Sequence, residues 1–112
     1  MAFFLVAVSV CAAGRAADDE NFARWERAIA AFEKADALAP PQKGGVLFVG
    51  SSSIRLWKLD ESCPEKSYIN RGFGGSQIAA SVHFADRIIR EHEPRLVVVY
   101  AGDNDIAAGK SP

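Results

Sequence analysis

The stretch Val46-Leu47-Phe48-Val49-Gly50-Ser51-Ser52-Ser53-Ile54-Arg55-Leu56-Trp57 joins a short apolar run to a serine-rich turn, and its reading governs the rest of the chain. Residues 46–49 are β-branched or otherwise bulky and apolar, with Gly44-Gly45 before them and Gly50 after. An unbroken apolar run of this length between glycines is the pattern of a parallel strand buried on both faces. The chain should then turn sharply at Gly50 and enter a helix. A serine just past such a glycine carries its hydroxyl to the carboxyl end of the strand, where open α/β sheets bind ligands. Two readings of the serines follow: one of them is a nucleophile, or Ser51, Ser52 and Ser53 cap the helix that begins there.

At 112 residues the chain is one domain at most. Its 13 basic and 14 acidic side chains nearly cancel, and the basic ones are scattered rather than gathered in a stripe, which argues against a nucleic-acid partner. A hydrophobic share of 49% suits a globular core. Cys11 and Cys63 could form one bridge, but Cys11 falls in a segment expected to be removed, so Cys63 reads as an unpaired thiol. No cysteine–histidine group has zinc spacing, and no metal or organic cofactor is called for.

Residues 1–10 are almost wholly apolar, and the small residues of Cys11-Ala12-Ala13-Gly14-Arg15-Ala16-Ala17 follow. Residues 1–17 therefore resemble a secretory signal with its cleavage region, which implies export to a periplasmic or extracellular space. No basic residue precedes the apolar run, which departs from the usual signal. The run is too short to span a bilayer.

Residues 18–43 read as an N-terminal helix and a proline-rich linker. Phe22, Trp25, Ile29 and Phe32 form one helical stripe, best read as core packing, and Asp18, Asp19 and Glu20 suit the positive N-terminal end. Pro40 and Pro41 stop the helix, which should brace or cover the sheet. Beyond the central stretch, residues 58–66 read as a surface connection and residues 67–70 as a short second strand. Arg71-Gly72-Phe73-Gly74-Gly75-Ser76 then needs close backbone approach or positive φ as it leads into another helix. In that helix Ile78, Val82, Ala85 and Ile89 are the expected buried stripe, with His83, Asp86, Arg87 and Arg90 outward and Pro94 as the stop. Residues 95–100 are a third strand, apolar on both faces like a central strand, delivering Gly102-Asp103-Asn104-Asp105 to the same sheet edge.

These three strand ends resemble the first three blocks of the SGNH hydrolases, also called GDSL-like lipases and esterases, nearest the platelet-activating-factor-acetylhydrolase-like branch. The resemblance covers residues 46–112, and it makes residues 44–112 the first half of such a domain. It implies a flavodoxin-like three-layer α/β/α sandwich with a parallel sheet, of which the first three strands are present behind an N-terminal helix. It also implies ester hydrolysis on a small-molecule or carbohydrate ester. Ser52 aligns with the nucleophile, Gly75 with the glycine whose N–H lines the oxyanion hole, and Asn104 with the asparagine of the third block. Ser51 stands where the family usually has aspartate, so the run of three serines leaves the register open; counting from Gly50 favours Ser52.

The family's last block, Asp-x-x-His, supplies the base and the acid that orients it, and no such motif occurs in these 112 residues. His83 and His92 both lie in the helix between the second and third strands and read as solvated surface groups rather than bases. The expectation is thus a fragment with a nucleophile and an oxyanion hole but no proton acceptor, and an apolar third strand with an uncovered edge. Two non-catalytic readings remain beside it. Glycine turns at helix starts can cradle phosphates, although no Walker lysine or complete dinucleotide fingerprint is present, and the same fold could serve as a carbohydrate-binding module. Oligomeric state is left open.

Overall fold

The computed structural model describes residues 22–111. The expected signal region, and Cys11 within it, lie outside the described residues. A single 3-10 turn, Ala23–Trp25, opens helix α1, Glu26–Leu38. There follow β1 (Val46–Gly50), α2 (Ser52–Arg55), α3 (Leu59–Ser62), β2 (Ile69–Gly72), α4 (Ile78–His83), α5 (Ala85–Ile88), a second 3-10 turn (Arg90–His92), β3 (Leu96–Tyr100) and α6 (Asp103–Ala107). The three strands form one parallel sheet in the order β2-β1-β3. This is a flavodoxin-like α/β arrangement with an N-terminal helix.

β1 is the centre of the sheet and all five of its residues are buried. Side chains alternate across a strand, so its two faces feed two cores. Leu47 and Val49 join Trp25, Ile29, Ile69, Phe73, Ala80, Phe84 and Ile88 on one face, beneath α1, α4 and α5. Val46 and Phe48 join Ile54 and Leu59 of α2 and α3 on the other. Burial on both sides is what makes β1 continuously apolar, and deleting a side chain as enclosed as Leu47 would cost about 2–5 kcal/mol.

The N-terminal stripe packs as its period implies. Trp25 and Ile29 are buried, and Phe22 and Phe32 lie half-buried against the same core. The helix braces the sheet from one face, tied by Arg87, which bonds Glu33 at 2.6 Å and Glu26 at 2.7 Å.

Other boundaries differ from expectation. β2 begins two residues later than 67 and includes Arg71 and Gly72, because its ladder follows β1 to the end, pairing Gly50 with Gly72. The segment after the glycine turn is two short helices, and its inner face is Ala80, Ser81, Phe84 and Ile88; Ile78 and Val82 are exposed. Phe84, its largest apolar side chain, takes the core position in T-shaped contact with Phe73, 6.0 Å between centroids. Positions three and four residues from it turn inward with it. β3, as expected, has an uncovered edge among the described residues, and despite its central-strand composition Leu96, Val99 and Tyr100 are 52%, 62% and 56% exposed.

Candidate active site

Because all three strands run parallel, their carboxyl ends open on one edge, and β1 places its turn between the other two. Ser51 is the N-cap of α2, yet it makes no side-chain capping bond. Its Oγ is fully buried without a partner, so this hydroxyl neither caps nor meets solvent. Ser52 is half-buried at the first position of α2, and Ser53 is exposed. A groove of about 360 Å³ beside the turn is lined by Ser53, Ile54, Trp57, Val98, Val99 and Tyr100.

The β2–α4 loop supplies both features that its glycines imply. A Cβ on Gly72 would collide with the backbone of Arg55, so α2 approaches β2 closely there, and Gly75 has φ +71°. Gly75 is exposed at the loop's tip. The loop is tied to β1 through the Gly50 carbonyl, which accepts from Phe73 N at 3.0 Å and from Ser76 Oγ at 3.3 Å. Trp25 Nε1 donates to the Gly74 carbonyl at 3.1 Å.

The start of α6 closes on the β2–α4 loop and the start of α4. Asn104 Nδ2 donates to the Ser76 carbonyl at 3.0 Å, and Asp105 Oδ2 accepts from Ile78 N at 3.1 Å, satisfying a free amide at the start of α4. An amide nitrogen carries two hydrogens, so one bond fixes the Asn104 side chain and a second donor remains. The edge thus brings together the turns bearing Ser52, Gly75 and Asn104. The groups at this edge are serine hydroxyls, the backbone of a glycine turn and a side-chain amide.

Neither histidine is at this edge. His83 ends α4, where it is exposed and stacks on Phe22 at 4.3 Å between centroids. His92 is not the solvated residue expected from sequence: it is 4% exposed. Its Nε2 lies 3.3 Å from an Arg71 guanidinium nitrogen and 3.4 Å from Asp36 Oδ2, and its carbonyl accepts from Gly44 N before β1. Arg71 can only donate, so a bond from Arg71 to the ring requires an unprotonated Nε2, whereas the Asp36 carboxylate would accept from a protonated one. Burial, and then the Arg71 charge, hold its pKa below the ordinary histidine value. This cluster joins α1, β2 and the turn before β3 on the amino-terminal side of the sheet, away from the serines. A cavity of about 510 Å³ also opens there, lined by residues 41–45 before β1 and residues 67–71 before and within β2, and holds none of the three aligned residues.

Sequence reading missed Ser76, Asp105 and Trp25 as supports of this edge. Asp105 had a signal, since an acidic residue beside a strand end can cap a neighbouring helix. The bonds of Trp25 and Ser76 depend on tertiary placement and leave no local pattern.

Fold and edge together define an open parallel α/β domain with its candidate site at the carboxyl ends of the strands. No family model matches the sequence, and no curated protein matches it. The fold is similar to that of a solved structure from Streptococcus pneumonia described as "a putative platelet activating factor", with a TM-score of 0.64 and 19% identity over 88% of this chain and 46% of that one. The chain therefore spans less than half the length of that protein. Among the described residues no helix is long and apolar enough to cross a membrane.

Proposed function

We propose that this chain carries the nucleophile and oxyanion-stabilising part of a serine hydrolase acting on small-molecule or carbohydrate esters, of the SGNH type. The observation that carries the reading is the convergence of the turns bearing Ser52, Gly75 and Asn104 on one sheet edge, cross-tied through Gly50, Ser76 and Asp105. The similar fold of the Streptococcus pneumonia protein supports the same reading. Ser52 attacks the ester carbonyl, and the N–H groups of Ser52 and Gly75 with the Asn104 amide hold the tetrahedral oxyanion. Water then releases the acyl group. A serine needs a base to lose its proton, and no histidine of the described residues lies at the edge.

The partnerless, enclosed hydroxyl of Ser51 favours Ser52 over Ser51 as nucleophile. In the full-length protein Ser52→Ala should abolish turnover of a short-chain p-nitrophenyl ester, while Ser51→Ala and Ser53→Ala should retain much of it. Loss of activity in Ser51→Ala or Ser53→Ala with a functional Ser52→Ala would move the nucleophile; turnover indifferent to all three would remove the esterase reading.

A further inference from the structure

The Gly74 carbonyl and the Gly75 N–H belong to one planar peptide group, so whatever holds the oxygen sets the direction of the N–H. Glycine stands on both sides of that peptide, and neither residue has a Cβ to restrain its rotation. The restraint comes instead from the N-terminal segment: Trp25 Nε1 donates to the Gly74 carbonyl at 3.1 Å. A hydrogen bond at the carbonyl also draws electron density from the amide nitrogen, which makes its N–H a stronger donor. Trp25 is itself immobilised. It is 5% exposed, packs edge-to-face on Phe73 at 6.1 Å between centroids, and lies under the Arg24 guanidinium, 4.6 Å from the ring centre.

We propose that Trp25 is a positioning residue for the ester site, its indole N–H orienting and polarising the Gly74–Gly75 peptide so that the Gly75 N–H faces the oxyanion beside Ser52. The proposal rests on the reading of Gly75 as an oxyanion donor. The N-terminal segment is then a working part of the site, contributing through one bond to a peptide it does not adjoin in sequence.

The test removes the N–H while leaving an aromatic ring in place, and its second variant also keeps the bicyclic shape. In the full-length protein Trp25→Phe, and replacement of Trp25 by benzothienylalanine, which exchanges only the indole N–H for sulfur, are compared with wild type. Both should lower kcat roughly three- to tenfold with KM unchanged, the size of one neutral hydrogen bond. Both should also move the Gly75 amide proton resonance while leaving that of Gly45 in place. Ile29→Val, which thins the same core without touching the peptide, should leave kcat near wild type. Ser52-dependent turnover with the same kcat after loss of the N–H overturns the proposal alone. Absence of any Ser52-dependent turnover in wild type removes the esterase reading and the proposal with it.

Discussion

On the proposed reading, Asn104 both ties the site together and takes part in its chemistry. Its amide already donates to the Ser76 carbonyl, which joins the start of α6 to the β2–α4 loop, and the proposed reading assigns its second N–H to a substrate oxygen. A donor aimed at charge that exists only in the transition state changes kcat rather than KM. In the full-length protein Asn104→Ala is therefore expected to lower kcat on the order of a hundred- to a thousandfold with little change in KM. A thermal melt run alongside separates this from loosening of the loop. Normal kcat in a folded variant would take Asn104 out of the oxyanion hole. The roles of Ser52, Gly75 and Asn104 come from the family resemblance; that three strand ends carry glycine and polar residues at one sheet edge could be read from sequence, because a strand followed by glycine and a polar residue recurs at each of them. The bonds that hold these turns together could not, since each joins loops distant in the chain; Trp25 and Gly74 stand 49 positions apart.

Among the elements, α1 was legible from its stripe because one helical face meets one sheet face, and Trp25 and Ile29 need no other partner to choose their side. The α4–α5 segment was not, because two candidate stripes compete there and only the aromatic contacts of Phe84 with Phe73 and Phe22 decide between them. His92 was misread for a related reason: its environment is assembled from Asp36 on α1 and Arg71 on β2. That assembly makes the docking of α1 depend on pH. Asp36 and Arg71 touch the ring, and Glu91 and Lys43 add weaker opposing charge effects. With the folded pKa of His92 below its ordinary value of 6.5, the unfolded chain binds the proton first as pH falls, so stability declines from about that pH until the folded value is passed. Glu26 and Glu33 add a lower window, since their hydrogen bonds to Arg87 hold both below 4.5, and that contribution is lost as they protonate. Denaturant unfolding across pH 8 to 4 should thus show a first loss below about 6.5 and a second below about 4.5. His92→Gln, which keeps an acceptor for Arg71, should flatten the first and spare the second; an unchanged first slope would show that His92 is not the group responsible.

At the scale of the whole molecule, the order of the strands is what sequence could not convey. Both β1 and β3 are apolar enough for a sheet interior; the free edge of β3 was expected, but that β1 lies between β2 and β3 is seen only in the pairing, with β3 bonded to one strand among the described residues. The difference appears in burial: β1 is enclosed throughout, whereas Leu96, Val99 and Tyr100 of β3 are largely exposed beside unpaired backbone groups. An edge strand that is apolar, uncharged and free of proline invites another strand. The 112-residue chain produced alone should therefore associate, eluting from gel filtration above the position of its 12.1 kDa monomer and more so at higher concentration. Val99→Lys places a charge on that edge at a side chain 62% exposed, so it should shift elution toward the monomer with little loss of thermal stability. A longer form that adds a further strand–helix unit beyond Pro112 should be monomeric or a small oligomer without the substitution, because the added strand would take the hydrogen bonds β3 now offers to solvent. If the 112-residue chain is monomeric at every concentration and indifferent to Val99→Lys, the edge is not adhesive and the apolar character of β3 needs another cause.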